Sequence, residues 1–219
     1  MDHSNKSRTE PLAHITEDGK SHLLIDHLRS TAERATEFAA SFGCGQWGYL
    51  VGLWHDLGKY QPEFQEKLLG KEIQVEHSIT GPIFAIKQFG CIGRLPAYVM
   101  AGHHAGLPDW ETETSGMTSL SQRLQRKRGL EDIPPANLPE KILKQPIPEE
   151  KPQPGSDAAM WVRMLFSCLV DADFLDTEAF FQPENAATRG KYRQLNLLLP
   201  VFDQYLKKLT NNAEKTSVN

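Results

Sequence analysis

The sequence predicts an all-α fold, a bundle of helices interrupted once by a long proline-rich excursion. Three observations carry that prediction. Apolar residues recur at the i, i+3, i+4, i+7 spacing that gathers them on one helix face, in successive stretches of the chain. Glycines such as Gly43, Gly58 and Gly70 close those stretches, as C-terminal glycines do. Half of the 14 prolines, including Pro134, Pro135, Pro146 and Pro154, fall between Pro108 and Gly155, where regular apolar spacing is lost.

Residues 1–20 are polar apart from Leu12-Ala13-His14-Ile15 and read as a surface lead-in. The first helix is expected over Ser21–Phe42, with Leu24, Leu28, Ala32, Ala35 and Ala39 as its stripe and His27 on the stripe's edge. The next is expected to run through Tyr49, Leu50, Val51, Leu53, Trp54 and Leu57 to Gly58, with His55-Asp56 inside it. Gly48 and Gly52 on the flank of that pair allow another backbone or a substrate to approach. A short helix follows over Glu63–Leu69. A third main helix uses Ile79, Ile83, Phe84, Ile86 and Phe89, with Pro82 tolerated in its first turn and His77 at its start. Arg94–Ala101 reads as a fourth, running into Gly102-His103-His104-Ala105-Gly106.

The stretch from Pro108 to Gly155 is an insertion rather than a second domain, too poor in apolar positions to bury a core. Its basic cluster, Arg123, Arg126, Lys127 and Arg128, reads as a solvated helix face in preference to a phosphate contact. Ser156-Asp157 reads as the N-cap of a long helix through Trp161, Val162, Leu165, Phe166, Leu169 and Ala172. That helix carries the acids Asp171, Asp173 and Asp176, of which Asp173 shares the apolar face and Asp171 points away. A last helix is expected over Ala186–Leu209, with Leu195, Leu198, Leu199, Phe202 and Leu206 as its core side and Pro200 inside it. Residues 210–219 read as a flexible polar tail.

At 219 residues and 39% hydrophobic content, the chain fits one globular domain over 1–219. No apolar run approaches the ~20 residues of a membrane span, and no hydrophobic region follows the N-terminus, so a cytoplasmic protein without membrane partners is expected. Cys44, Cys91 and Cys168 are odd in number and never paired as C-x-x-C, which argues against a disulfide framework or a thiolate zinc site. A formal net charge of -4 gives no overall electrostatic footprint for nucleic acid, although bound divalent ions would make a site locally positive.

Asp56 is the least comfortable residue in this pattern, because a buried carboxylate costs several kcal/mol unless it is paired or binds a cation. Six other groups of metal-ligating type stand at helix interiors, starts or ends: His27, His55, His77, His103, His104 and Asp173. Imidazole and carboxylate suit zinc, manganese, iron, cobalt or nickel, and seven ligands exceed one closed four-ligand site. Two divalent transition-metal ions sharing a bridging carboxylate fit the number, and such a pair serves phosphoryl displacement.

The stretches Leu24-Ile25-Asp26-His27-Leu28, Trp54-His55-Asp56-Leu57-Gly58-Lys59, Glu76-His77-Ser78, Gly102-His103-His104-Ala105-Gly106 and Leu169 to Glu178 together follow an H…HD…D pattern. They resemble the HD nuclease domain of the CRISPR-associated helicase-nuclease of type I systems, within the HD superfamily of metal-dependent phosphohydrolases. The resemblance covers about residues 12–209. It implies an HD-domain helical bundle and a metal-dependent nuclease that hydrolyses single-stranded DNA in CRISPR interference by a two-metal hydroxide mechanism. It assigns His27, His55, Asp56 and Asp173 to the first metal, and His77, His103 and His104 to the second, with Asp56 as the bridge.

Asp173 is the member of the acidic run that helical phase and the resemblance both select, with Asp171 as the alternative. Lys59 would face the cleft and neutralise the scissile phosphate or assist the leaving group, or else serve as a helix C-terminal cation. His14 and His22 match family positions and read as structural. The implied partners are single-stranded DNA, a helicase domain in cis or in trans, and the CRISPR RNA-guided surveillance complex, Cascade. The chain has no G-x-x-x-x-G-K-[ST] loop, so the helicase motor is not in it. The alternatives are an HD phosphohydrolase acting on nucleotides or cyclic dinucleotides, and a non-catalytic metal-binding docking module.

Overall fold

A computed structural model describes residues 10–113, 119–125, 129–133, 137–150, 158–191 and 193–212. The expected N-cap at Ser156-Asp157, the basic residues Arg126, Lys127 and Arg128, and most of the C-terminal tail lie outside the described residues. The protein is mostly helical, 64% helix against 4% strand, as the apolar spacing predicts. The contacts divide the chain into two compact units, Met1–Phe181 and Gln182–Asn219, where the sequence predicts one domain.

The first unit opens with a two-stranded antiparallel hairpin, β1 (Leu12–Ile15) and β2 (Ser21–Leu23), which pairs His14 with His22. This corrects two expectations, since Leu12–Ile15 of the lead-in form a strand and Ser21–Leu23 belongs to its partner rather than to the first helix. The reversal at Gly19, with φ of +86°, supplies the turn between them. The carboxamide of Gln65 ties the hairpin down, accepting from Leu12 N at 2.8 Å and donating to the carbonyls of Leu12 and Lys59.

Helix α1 (Leu24–Ala40) packs along α2 (Gly45–Trp54), and α8 (Ala158–Phe181) lies against both. Leu24, Leu28, Ala32, Ala39, Leu53, Trp54, Leu165 and Leu169 form the core they share. Gly52 makes the α1–α2 crossing possible, because a Cβ there would come within 2.4 Å of Ala32 Cα. The close approach predicted for this glycine is therefore to the backbone of α1. The helices α3 (Pro62–Leu68), α4 (Thr80–Phe89) and α5 (Arg94–Gly102) follow close to their expected positions, and α5 packs on α4 and α8.

The proline-rich excursion contributes more to the interior than its composition suggests. It forms α6 (Leu120–Leu124), a 3₁₀ turn at Leu130–Asp132 and α7 (Glu140–Leu143), and it buries Leu120, Ile133 and Ile142. Trp54 Nε1 donates to the Ile142 carbonyl at 2.8 Å, so a large buried indole satisfies its polar atom on the excursion.

In the second unit the expected last helix is two: α9 (Pro183–Thr188) and α10 (Leu195–Asn212), with Gly190 between them at φ of +78°. Pro200 lies inside α10. The expected core side of the helix is not buried: Leu195, Leu198, Leu199, Phe202 and Leu206 are exposed. Two helices alone provide no second layer to cover such a stripe. Among the described residues no helix is long and apolar enough to cross a membrane.

Candidate metal centre

The His-Asp pair does not sit inside a helix, as the apolar phase predicts, but just beyond the end of one. Helix α2 stops at Trp54, His55 keeps helical dihedrals as its C-cap, and Asp56 turns away at φ -111° and ψ 24°. A 3₁₀ turn, Leu57–Tyr60, resumes the chain. The break points the two oxygens of Asp56 at different sets of neighbours. Gly58 then lies against the next ligand segment, because a Cβ there would meet the His77 carbonyl at 2.1 Å.

Helix α1 contributes His27, α8 contributes Asp173, and the end of α5 contributes His103 and His104. Around Asp56 Oδ2 stand His27 Nε2 at 3.5 Å and His55 Nε2 at 3.4 Å, and both rings face Asp173 Oδ1, at 3.3 and 3.7 Å. Around Asp56 Oδ1 stand His103 Nε2 at 3.4 Å and His77 Nε2 at 3.7 Å. His104 Nε2 meets His77 Nε2 at 2.9 Å. The structure thus brings all seven predicted groups together, and of the two candidate acids it places Asp173 at the centre and leaves Asp171 exposed.

The rings are held from behind. His27 Nδ1 donates to Asp176 Oδ2 at 2.7 Å, His55 Nδ1 to the Gly52 carbonyl at 2.8 Å, and His103 Nδ1 to the Met100 carbonyl at 2.5 Å. With Nδ1 held to those acceptors, each ring turns its Nε2 inward, the usual orientation of a metal-ligating histidine. Those three Nε2 atoms and Asp56 Oδ1 are buried without a hydrogen-bond partner. Unpartnered polar atoms are expensive in a protein interior, and bound cations would satisfy them. The residues fit a metal: the ligand atoms of Asp56, His77, His103 and His104 lie within 4.8 Å of one another, as do those of His27, His55 and Asp56.

The electrostatics separate the rings. Burial disfavours charge on His55, but the carboxylates of Asp56 and Asp173 outweigh it and push the imidazole up to about 10. Burial likewise opposes the Asp56 charge, yet Lys59 and His55 hold its carboxyl well below the usual range. Burial lowers His77, and it lowers His104 to about 4. A site that carries protons between carboxylates binds cations by exchanging them for those protons.

Lys59 is buried, with Nζ 2.8 Å from Asp56 Oδ2. His27, His55 and Asp56 form the sealed floor, whereas Asp173 and His77 are partly accessible and His104 is exposed. The centre is therefore reached from one side. Compared with protein-family models and with curated proteins, the chain has no match.

Two parts of the site are not evident from sequence. Asp176 is one; it lies a helical turn beyond Asp173 on α8 and supports His27 from behind. The only signal for it is the i, i+3 spacing of the two acids. The other is the hairpin pair, whose match to family positions is read from sequence as structural and whose nearness to His27 is not. The rings of His14 and His22 lie 5.1 and 5.6 Å from that of His27, and His22 stacks on Phe180 at 4.7 Å. Their nitrogens and one of His27 also come within 4.8 Å of one another.

Proposed function

We propose that the protein is a metal-dependent nuclease that hydrolyses phosphodiester bonds of single-stranded DNA at the His/Asp centre. One observation carries the reading. The two oxygens of Asp56 face different histidine groups, His27 and His55 on one side and His77 and His103 on the other, as a carboxylate shared by two ions requires. In this reading His27, His55, Asp56 and Asp173 hold one divalent ion, and Asp56, His77, His103 and His104 hold the second. The ions, drawn from manganese, iron, cobalt, nickel or zinc, supply Lewis acidity that activates water and offsets phosphate charge.

The chain's own residues do the positioning. The Nδ1 hydrogen bonds fix the donor atoms, the sealed floor keeps water from the far side, and the partly accessible Asp173 and His77 with the exposed His104 mark where a strand enters. Lys59 keeps a cation beside the shared carboxylate, from where it neutralises an incoming phosphate oxygen. DNA as the substrate rests on the resemblance of the five ligand-bearing stretches, as do a helicase in cis or in trans and an RNA-guided surveillance complex as partners.

The test is circular single-stranded DNA incubated with the purified protein and Mn²⁺, Ni²⁺ or Co²⁺. Degradation that stops with a chelator and with Asp56→Ala is the expected result. Protein that binds metal but leaves DNA intact refutes the nuclease. Phosphate release from nucleotides or cleavage of cyclic dinucleotides would move the activity to small substrates. Loss of partner binding alone in Asp56→Ala would make the centre a docking module.

A further inference from the structure

We propose that Arg123, in the proline-rich excursion, is a positioning residue that holds the His77–His103–His104 half of the centre in place; this rests on the metal-centre reading above. The two halves differ in their support. His27, His55 and Asp173 stand on or at the end of the long helices α1, α2 and α8. His77 stands on a stretch without regular structure, residues 71–77, whose backbone alone does not fix a ring.

The guanidinium of Arg123 supplies what that stretch lacks. Its Nε and Nη2 donate to Glu76 Oε1 at 3.0 and 2.9 Å, and Nη2 also donates to Ser78 Oγ at 2.9 Å. Both residues flanking His77 are thus gripped by one rigid fork. Its Nη1 donates to the Ala101 carbonyl at 3.0 Å, two residues before His103. One planar group therefore joins the His77 segment to the end of α5, across the gap where His77 Nε2 meets His104 Nε2.

Arginine suits this task and lysine does not, because the fork presents donors in fixed directions while an ammonium is a point charge on a flexible stem. The platform under Arg123 is itself fixed. Ser119 caps α6 in a reciprocal box with Gln122, and Leu120 is fully buried with Ile79 and Ala101. A residue that reads as part of a solvated basic face instead has a side chain only 16% exposed.

Three measurements test the assignment. Mn²⁺ titration of Arg123→Ala should show one of two equivalents weakened about 10- to 100-fold, the range for loss of a supporting contact behind a ligand. The other equivalent should be unchanged, and the pattern should match that of His104→Ala. Arg123→Lys should fall between wild type and Arg123→Ala. Imidazole ¹H–¹⁵N spectra of metal-free Arg123→Ala should show the His77, His103 and His104 signals shifted and broadened, with His27 and His55 in place.

Unchanged titration and spectra overturn the proposal. Equal weakening of both equivalents, or disturbance of all five rings, also overturns it, because Arg123 would then support the fold at large. If the wild type binds fewer than two ions, the two-metal reading fails, and the ring spectra still decide the role of Arg123. Should Arg123→Ala not fold, Arg123→Lys carries the same tests.

Discussion

Replacing Gly52 by alanine tests how tightly the bundle and the centre are joined. The new methyl would lie 2.4 Å from Ala32 Cα and 2.7 Å from Ala32 N, both backbone atoms that cannot rotate away. Reaching ordinary contact near 3.4 Å requires α1 and α2 to part by about 1 Å at the crossing. Overpacking of this kind costs about 1–3 kcal/mol. At ~2–4 °C per kcal/mol for a domain of this size, the metal-free melting temperature should fall by about 2–12 °C. His27 rides on α1, and His55 and Asp56 end α2, so the ligands on the two helices separate as well. Ligand sets tolerate roughly 0.5 Å of misplacement, so metal affinity should drop at least about tenfold. Thermal melts followed by circular dichroism and Mn²⁺ titrations measure both effects. Gly45→Ala is the control, since its Cβ would meet Thr36 at an ordinary 3.5 Å, and its melting temperature should not fall. A Gly52→Ala protein with wild-type melting temperature and affinity would refute the link between helix crossing and ligand geometry.

Removing the acceptor behind His27 with Asp176→Ala should weaken metal binding about 10- to 100-fold, equivalent to ~1.4–2.7 kcal/mol, because Nδ1 loses the partner that fixes the ring; unchanged titration curves would deny Asp176 this role. Metal-free stability should also peak near pH 6.5. On the acid side, burial lowers His14 to about 3 and His104 to about 4, so only the unfolded chain takes up their protons as pH falls below 6.5, and stability declines. On the alkaline side, His55 holds its proton to about 10 in the folded state, so its contribution is fully present below 6.5 and is lost as pH rises toward 10. Urea unfolding from pH 4.5 to 9 measures this, with His14→Gln flattening the acid limb and His55→Gln the alkaline one. A stability curve unmoved by either variant would refute the assignment.

The helices and the ligand types were legible in the sequence because both depend on local spacing. Helical phase alone separates Asp173 from Asp171, and the structure agrees. Phase failed at His55-Asp56 because the apolar pattern runs on through Leu57 while the backbone turns at Asp56, and nothing local marks that break. The hairpin escaped detection because strands of four and three residues carry too little alternation to register. Asp176, Arg123 and the buried Ile142 owe their places to partners far along the chain, which no window of sequence contains.

The hydrogen bond between His27 and Asp176 joins positions 149 residues apart, and this distance along the chain bears on how the protein folds. Contacts of such span carry a large loop-closure cost and form only once the intervening chain is organised. Neither half-set of ligands exists on any short fragment, so a nascent or partly unfolded chain offers an ion no preformed seat. An ion bound at the folded site would add about 2.7 kcal/mol to the native state at a free ion concentration 100 times the dissociation constant. The His27, His55, Asp56 and Asp173 half-set is complete only once α8 closes over α1.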